Sequence, residues 1–278
     1  MRSPGGRARA VSSLHAPLRY AWVAAYAFRR YSTYRVAAVS ATFTNTVFGF
    51  LRAFVLIAVW RARPALGGYD VADAVTFSFL TQGLIEPVRV FAGSLDLTER
   101  IRTGDIAIDL HRPVDLQGWW LADDLGRAAF AVLSRGAPPL IVGGLAFSLR
   151  WPPSPGRWAA FAVAVLLAVL VSFALRYLYS LAVFWIHDDR GVTAISLVTT
   201  MFFSGMIIPL VVFPGPLAAV ARVLPWAALI QVPADVFLGK RADPLGAYAF
   251  QAAWAVALLV AGRLLTVAAP RRLVIHGG

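Results

Sequence analysis

The sequence predicts an all-α protein threaded several times through a membrane. Of its 278 residues, 59% are hydrophobic and 14% charged, with a mean hydropathy of +0.68, whereas a soluble domain carries about 25% charged residues. The apolar residues fall into long runs punctuated by Arg, Pro and Gly, and a run of roughly 20 residues crosses about 30 Å of hydrocarbon as a helix. Folded in water, such a chain would expose more apolar surface than a soluble monomer tolerates. One membrane domain with thin aqueous loops follows.

The elements are expected in this order. Residues 1–13, rich in Gly, Ser and Arg, form a disordered tail. In residues 14–35, Tyr20, Trp22, Tyr26, Phe28, Tyr31 and Tyr34 alternate with Arg19, Arg29, Arg30 and Arg35, a mixture suited to the head-group zone. An amphipathic interfacial helix is expected there, the alternative being a cytosolic start to the first span. Residues 36–278 then form a single transmembrane domain.

The first span covers about 36–60 and ends at Arg61-Ala62-Arg63-Pro64. The second covers 71–92, starting near Asp73 as a cap. Residues 93–120 are the longest polar stretch outside the termini and cannot cross. The third span lies within 121–149, broken at Pro138-Pro139, with Asp123, Asp124, Arg127 and Arg135 in its first turns. The fourth covers 157–186 and is long enough to project. After His187-Asp188-Asp189-Arg190, the fifth covers 192–213 and the sixth 244–268. Between these two, Pro216, Pro225 and Pro233 each remove a donor and clash one turn back. Short interfacial or re-entrant helices are expected there, forming an elbow rather than a span.

Six spans place both termini on one side, and the basic residues select it. Fourteen Arg fall on the terminal side: seven before the first span, then Arg89, Arg100, Arg102, Arg112, Arg190, Arg271 and Arg272. The other side holds seven basic residues, so both termini are expected in the cytoplasm of an inner or plasma membrane. No long apolar segment precedes Arg29-Arg30, so no cleavable signal peptide is expected.

The net charge of +12 comes from 25 Arg and one Lys among 26 basic residues. Nucleic-acid binding needs a basic face on a water-soluble fold; arginines set between apolar runs suit anionic lipid instead. The absence of cysteine excludes disulfides, thiolate catalysis and thiolate-held metals. His187-Asp188-Asp189 is too tight a loop to close around one ion. No G-x-S-x-G or H-E-x-x-H stretch supports hydrolase chemistry. No catalytic, cofactor-binding or metal-binding residue is expected.

The stretch 97–115 reads LTERIRTGDIAIDLHRPVD. A helix end at 98–102, a turn at Thr103-Gly104-Asp105 and a cap at Asp115 are expected. Ile101, Ile106, Ile108 and Leu110 bring apolar side chains among paired charges, a surface suited to docking a partner. Here the chain resembles the permease subunits of ABC type-2 exporters, in the branch without a fused ATPase. The resemblance rests on Ile101-Arg102-Thr103-Gly104-Asp105-Ile106, Leu110, Arg112-Pro113-Val114-Asp115, Trp119-Trp120 and Asp124-Leu125-Gly126-Arg127. Leu224-Pro225-Trp226 through Pro233 to Leu238-Gly239 is similar to that family's outer elbow, with Trp226 where phenylalanine is more usual.

The resemblance implies that residues 93–120 carry a cytoplasmic coupling segment seated on a dimer of ATP-binding-cassette ATPases. Its contacts would be Arg100, Ile101, Arg102, Thr103, Gly104, Asp105, Ile106, Ile108, Asp109 and Arg112, with Ile106 and Ile108 as anchors. It also implies a second permease subunit, identical or homologous. The only lysine, Lys240, is followed by Arg241, so no phosphate-binding loop of the G-x-x-x-x-G-K-[ST] form exists here. ATP and Mg would sit on the partner chain, and this chain is not expected to be an enzyme.

Ionisable residues inside spans are functional candidates by default. Arg52, Glu86, Arg89 and Arg176 are the candidates, with Arg263 near enough to the inner face to be structural; Glu86 can pair with Arg89 three residues on, and Arg52 and Arg176 can snorkel. A translocation route past Phe48, Arg52, Phe79, Glu86, Phe203 and Met206 is expected, although phenylalanine in contact with lipid needs no such role. The alternative function is an ion-coupled secondary transporter, or half of one, driven through Glu86. A lipid-acting enzyme using Asp123 and Asp124 lacks a convergent nucleophile.

Overall fold

The computed structural model describes residues 16–33, 35–111, 114–186, 189–241 and 243–269. The expected tail at 1–13, Tyr34, Arg112-Pro113, His187-Asp188 and Arg271-Arg272 lie outside the described residues. Within them the chain is all helical: α1 (Ala16–Ser32), α2 (Arg35–Ala62), α3 (Val71–Leu84), α4 (Leu97–Thr103), α5 (Ile106–His111), α6 (Leu116–Ala131), α7 (Ala137–Ala146), α8 (Pro155–Ile186), α9 (Asp189–Phe203), α10 (Gly215–Val223), α11 (Gln231–Phe237) and α12 (Pro244–Ala268). Among the described residues, four stretches are long and apolar enough to cross a membrane: Ala38–Ala62, Leu116–Ala146, Pro155–Ile186 and Pro244–Ala268.

The expected second and fifth spans are shorter as helices. The α3 helix has 14 residues, about 21 Å at 1.5 Å per residue. It opens on a capping box in which Asp70, rather than Asp73, is the N-cap; Asp73 N–H donates to Asp70 Oδ1 at 2.8 Å and Asp70 N–H to Asp73 Oδ2 at 2.9 Å. It closes at Leu84 because Pro87 has no N–H to continue the ladder, and the chain turns through Arg89 at φ 50°. The α9 helix has 15 residues and stops ahead of Gly205, which lies at φ 85°.

The third pass bends upstream of its prolines. Pro138 cannot donate to the carbonyl of Ser134, and the helix widens into a π-turn over Val132–Gly136. The released Ser134 carbonyl accepts from Thr42 Oγ1 of α2 at 3.1 Å. Proline's missing donor thus becomes an inter-helix bond.

Side-chain contacts set the directions. The α2 and α3 helices run antiparallel, with Asn45 donating to the Gln82 carbonyl and Ser78 to that of Gly49. Along α8 and α12, Tyr248 bonds Ala160, Gln251 bonds Ala164 and Tyr177 bonds Thr266, so these two run parallel. The helices α2, α3, α6–α7, α8, α9 and α12 run between two ends of the fold. One end carries the elbow, where α10 meets the segment Pro225–Phe237 at a 69° bend. The other carries α4 and α5, together with the start of α1, which contacts Gly118 through Tyr20, and the end of α12, where Ala269 joins the core formed by Leu95 and Leu97.

The α1 helix does more than skirt this end. Tyr20 at Gly118, Ala24 at Gly126 and Phe28 against Phe130 advance together, so α1 lies alongside α6 in the same direction. A Cβ at Gly126 would stand 2.0 Å from the Ala24 carbonyl oxygen, and only glycine permits that approach.

Candidate functional site

The α4–α5 pair is bolted to the end of the long helix α8. Glu99 lies in the first turn of α4 and Arg100 and Arg102 in its last, each where the helix dipole favours its charge. Gly104, at φ 84°, supplies the left-handed turn. Beneath the pair, Leu97 and Ile106 are fully buried against Leu116, Phe173, Tyr177, Leu181 and Phe184, with Ile101 and Leu110 half-buried beside them. Leu95 N–H donates to Ser180 Oγ at 2.9 Å. Arg100 and Asp109 form an ion pair that bridges α4 and α5. That hydrogen bond, against some desolvation, raises the Arg100 pKa above its ordinary value.

Facing outward are Arg102, paired with Glu99 at 2.7 Å, then Thr103, Gly104, Asp105 and Ile108, the last 58% exposed. Ile106, expected as a docking anchor, is instead a core residue. An apolar side chain at the first position of α5 falls on the helix face turned to α8, whereas Ile108, two positions on, falls on the opposite one. Arg112 lies outside the described residues. A cleft of about 170 Å³ opens beside α5, lined by Arg100, Asp109, Val114, Leu116, Trp119 and Trp120. Asp115 caps α6, accepting from Gly118 N–H at 2.8 Å, and pairs with Arg263 of α12.

One cluster at this end went unassembled by sequence reasoning. Asp124 Oδ1 accepts from Arg127 Nε at 2.8 Å and from Arg176 Nη1 at 3.2 Å, while Oδ2 accepts from Arg176 Nη2 at 2.7 Å. All three side chains are at most 5% exposed. Arg127 also donates to the carbonyls of Glu86 and Pro87 at 2.8 and 3.0 Å, and Ser172 Oγ donates to that of Val88 at 2.5 Å. Beyond the end of α3 the Glu86 carbonyl also accepts from Arg89 N–H, whereas the Pro87 and Val88 carbonyls are taken up by side chains of α6 and α8. Arg176 does not snorkel. The i,i+3 spacing of Asp124 and Arg127 was a usable signal, but nothing in the sequence placed Arg176 across from them.

Glu86 reaches Arg89 at 3.9 Å, yet its nearer partner is Arg135 at 3.2 Å. Arg52 donates to Thr81 Oγ1 at 2.7 Å and to the Ile207 carbonyl at 3.1 Å. Phe48 is half-exposed along the same helix. Phe79 is fully buried among Phe50, Phe147 and Leu149, Phe203 stacks towards Trp226 with ring centroids 6.0 Å apart, and Met206 is buried. Of the six residues expected to share a route, Arg52 is tied to Thr81, two residues beyond Phe79, and to Ile207, next to Met206. Phe48 and Arg52 lie along α2, Phe79 is inside, and Glu86 is at the α4–α5 end.

At the elbow end, fully buried Asp73 pairs with Lys240 and, at 2.8 Å, with Arg150 Nε. Tyr69 OH donates to Asp235 Oδ1 at 2.5 Å, and Gln231 bonds both Asp235 and Leu210 N–H. These ties join the three loops at that end. Among the described residues, no group of three His, Asp or Glu could hold a metal ion.

These features define a polytopic helical membrane protein with a short helical pair presented at one end. A family model described as ABC-2 family transporter protein matches residues 46–277. The chain belongs to that family and is a multi-pass membrane component of a transporter. No curated protein and no solved structure matches it.

Proposed function

We propose that this chain is the permease subunit of an ATP-driven exporter, coupled to a separate ATP-binding-cassette ATPase dimer through the α4–α5 pair. The observation that carries this reading is the outward surface of Arg102, Thr103, Gly104, Asp105 and exposed Ile108, mounted on a rigid base. The base matters because α8, at 32 residues, is about 48 Å long against roughly 30 Å of hydrocarbon. Its surplus length carries α4 and α5 out of the lipid. Motion imposed on the pair passes through Leu95–Ser180 into α8, and through Arg176, Asp124 and Arg127 into the broken end of α3.

ATP and Mg belong to the partner, since the only lysine lies outside any phosphate-binding loop. In this reading α3 and α9, with the turns that follow them, complete six crossings, residues 210–238 form an elbow on the outer side, and α1 lies at the cytoplasmic interface. A second permease completes the pathway, and the inside-positive balance of arginine puts both termini in the cytoplasm.

The test is a photo-crosslinking residue at Ile108 in intact cells, with the adduct sequenced. Recovery of a chain bearing a phosphate-binding loop supports the reading. Labelling of a cysteine at Thr103 by a membrane-impermeant maleimide from outside the cell would overturn it.

A further inference from the structure

Arg52 stands apart from the other cations packed against the helices. Arg127 and Arg176 share Asp124, Arg150 and Lys240 share Asp73, and Arg135 has Glu86. Among the described residues, Arg52 has only neutral partners, Thr81 Oγ1 and the Ile207 carbonyl, and its buried Nε has none. A cation withdrawn from water without a counterion is costly.

The sequence closes off the internal sources. Arg52 is 17 residues from the start of α2 and 10 from its end, about 25 and 15 Å along the axis. No Asp or Glu occurs in 35–69, 74–85, 125–187 or 190–234. The chain's 14 acidic residues thus cluster near the ends of the passes. A second copy would carry its acidic residues at the same positions and so offer no carboxylate at that depth either. The anion must come from another molecule. A head group of the surrounding bilayer would have to leave the interface and travel about 15 Å into the membrane to reach Arg52.

The flank beside Arg52 is apolar. Phe48, Leu51 and Val55 of α2 are each more than half exposed, and Ile207, whose carbonyl holds Arg52, is 47% exposed. A guanidinium whose Nη2 lies on the exposed side, bonded to the Ile207 carbonyl and with an N–H to spare, set in an apolar wall, matches one chemistry, an anionic group on a hydrophobic tail. Planar carboxylate or phosphate is the natural acceptor for such a fork.

We infer that Arg52 is a mid-membrane binding site for the anionic group of an amphiphile. The inference rests on the transport reading and narrows its cargo to amphipathic carboxylates, phosphates or sulfates. Thr81 and the Ile207 carbonyl hold the guanidinium in place, and the exposed side chains of α2 receive the tail.

The test uses the whole chain in phosphatidylcholine nanodiscs, with a dansylated undecanoic acid as probe, its methyl ester as neutral control, and empty discs as background. Wild type should favour the acid over the ester by about tenfold or more, the scale of a charge-assisted hydrogen bond. Arg52→Gln should abolish that preference while leaving ester binding unchanged, and Arg52→Lys should retain part of it. Equal acid affinity in wild type and Arg52→Gln overturns the site. So does loss of the preference in a monodisperse Arg52→Lys chain equal to that in Arg52→Gln. Adding phosphatidylglycerol separates the sources. Competition in wild type alone identifies a membrane phospholipid as the anion, and lack of competition identifies a separate cargo; either upholds the site. Neither ATP nor a partner enters the measurement, so failure here leaves the crosslinking result standing, and the reverse holds too.

Discussion

Replacing Asp124 with Asn tests the buried cluster where the structure makes its strongest claim. The carboxylate accepts three hydrogen bonds between 2.7 and 3.2 Å from two guanidinium groups, with every member at most 5% exposed. Asparagine keeps one acceptor oxygen, removes the negative charge and points an amide N–H₂ at a cation. Two like charges are then left together in a dry site. Breaking a buried ion cluster by removing one partner costs about 3–5 kcal/mol. By the soluble-domain scale, that lowers the melting temperature by on the order of 10 °C. Arg176→Gln should cost less, because Asp124 and Arg127 remain a neutral pair. The double variant Asp124→Asn with Arg176→Gln should melt above Asp124→Asn alone, since it restores a single cation in place of two. The assay is thermal unfolding of the detergent-purified chain, followed by tryptophan fluorescence and by loss of the monodisperse peak. If Asp124→Asn melts within about 2 °C of wild type, roughly the shift expected from 1 kcal/mol or less, the carboxylate does not hold the cluster together. If the double variant melts at or below the Asp124→Asn single variant, like-charge repulsion is not the cause.

Ile106→Asp should destabilise the chain by at least about 3 kcal/mol, as an uncompensated buried charge does, whereas Ile108→Asp should leave its melting curve unchanged and reduce partner capture by a photo-crosslinking residue placed at Thr103; equal stability loss in both would contradict the inward placement of Ile106. Gly126→Leu should push α1 off α6, read as faster proteolytic cleavage after Arg29 and Arg30, and unchanged cleavage would refute the close packing at Ala24. Asp73→Asn should loosen the elbow end by taking the carboxylate from Lys240, while Arg150 keeps Asp70, seen as higher reactivity of a cysteine placed at Leu66; unchanged reactivity would count against the clamp.

Some of the site was written locally and could be read locally. The helix end, the turn at Gly104 and the cap at Asp115 are set by residues within a few positions of one another, and backbone sterics and capping act over that range. Composition and run length were enough for the all-α membrane class, because lipid leaves helices as the simplest way to satisfy every backbone group. The direction of Ile106 was harder. A six-residue helix is too short for periodicity to choose a face, so α8 chose it. Arg176 is the same case at longer range: 52 positions separate it from Asp124, and an isolated arginine in an apolar run looks identical whether it snorkels or meets a carboxylate.

The sequence by itself determined that the chain is helical, lives in a membrane, has no G-x-x-x-x-G-K-[ST] stretch and carries a short charged segment at 97–115. These follow from transfer free energies and local stereochemistry, which each stretch carries with it. Only the tertiary structure decided which cations are neutralised. Arg127 and Arg176 converge on Asp124, Lys240 and Arg150 on Asp73, and Arg52 is left with a hydroxyl and a carbonyl. Charge pairing depends on distances across helices, and those exist only once the helices have packed.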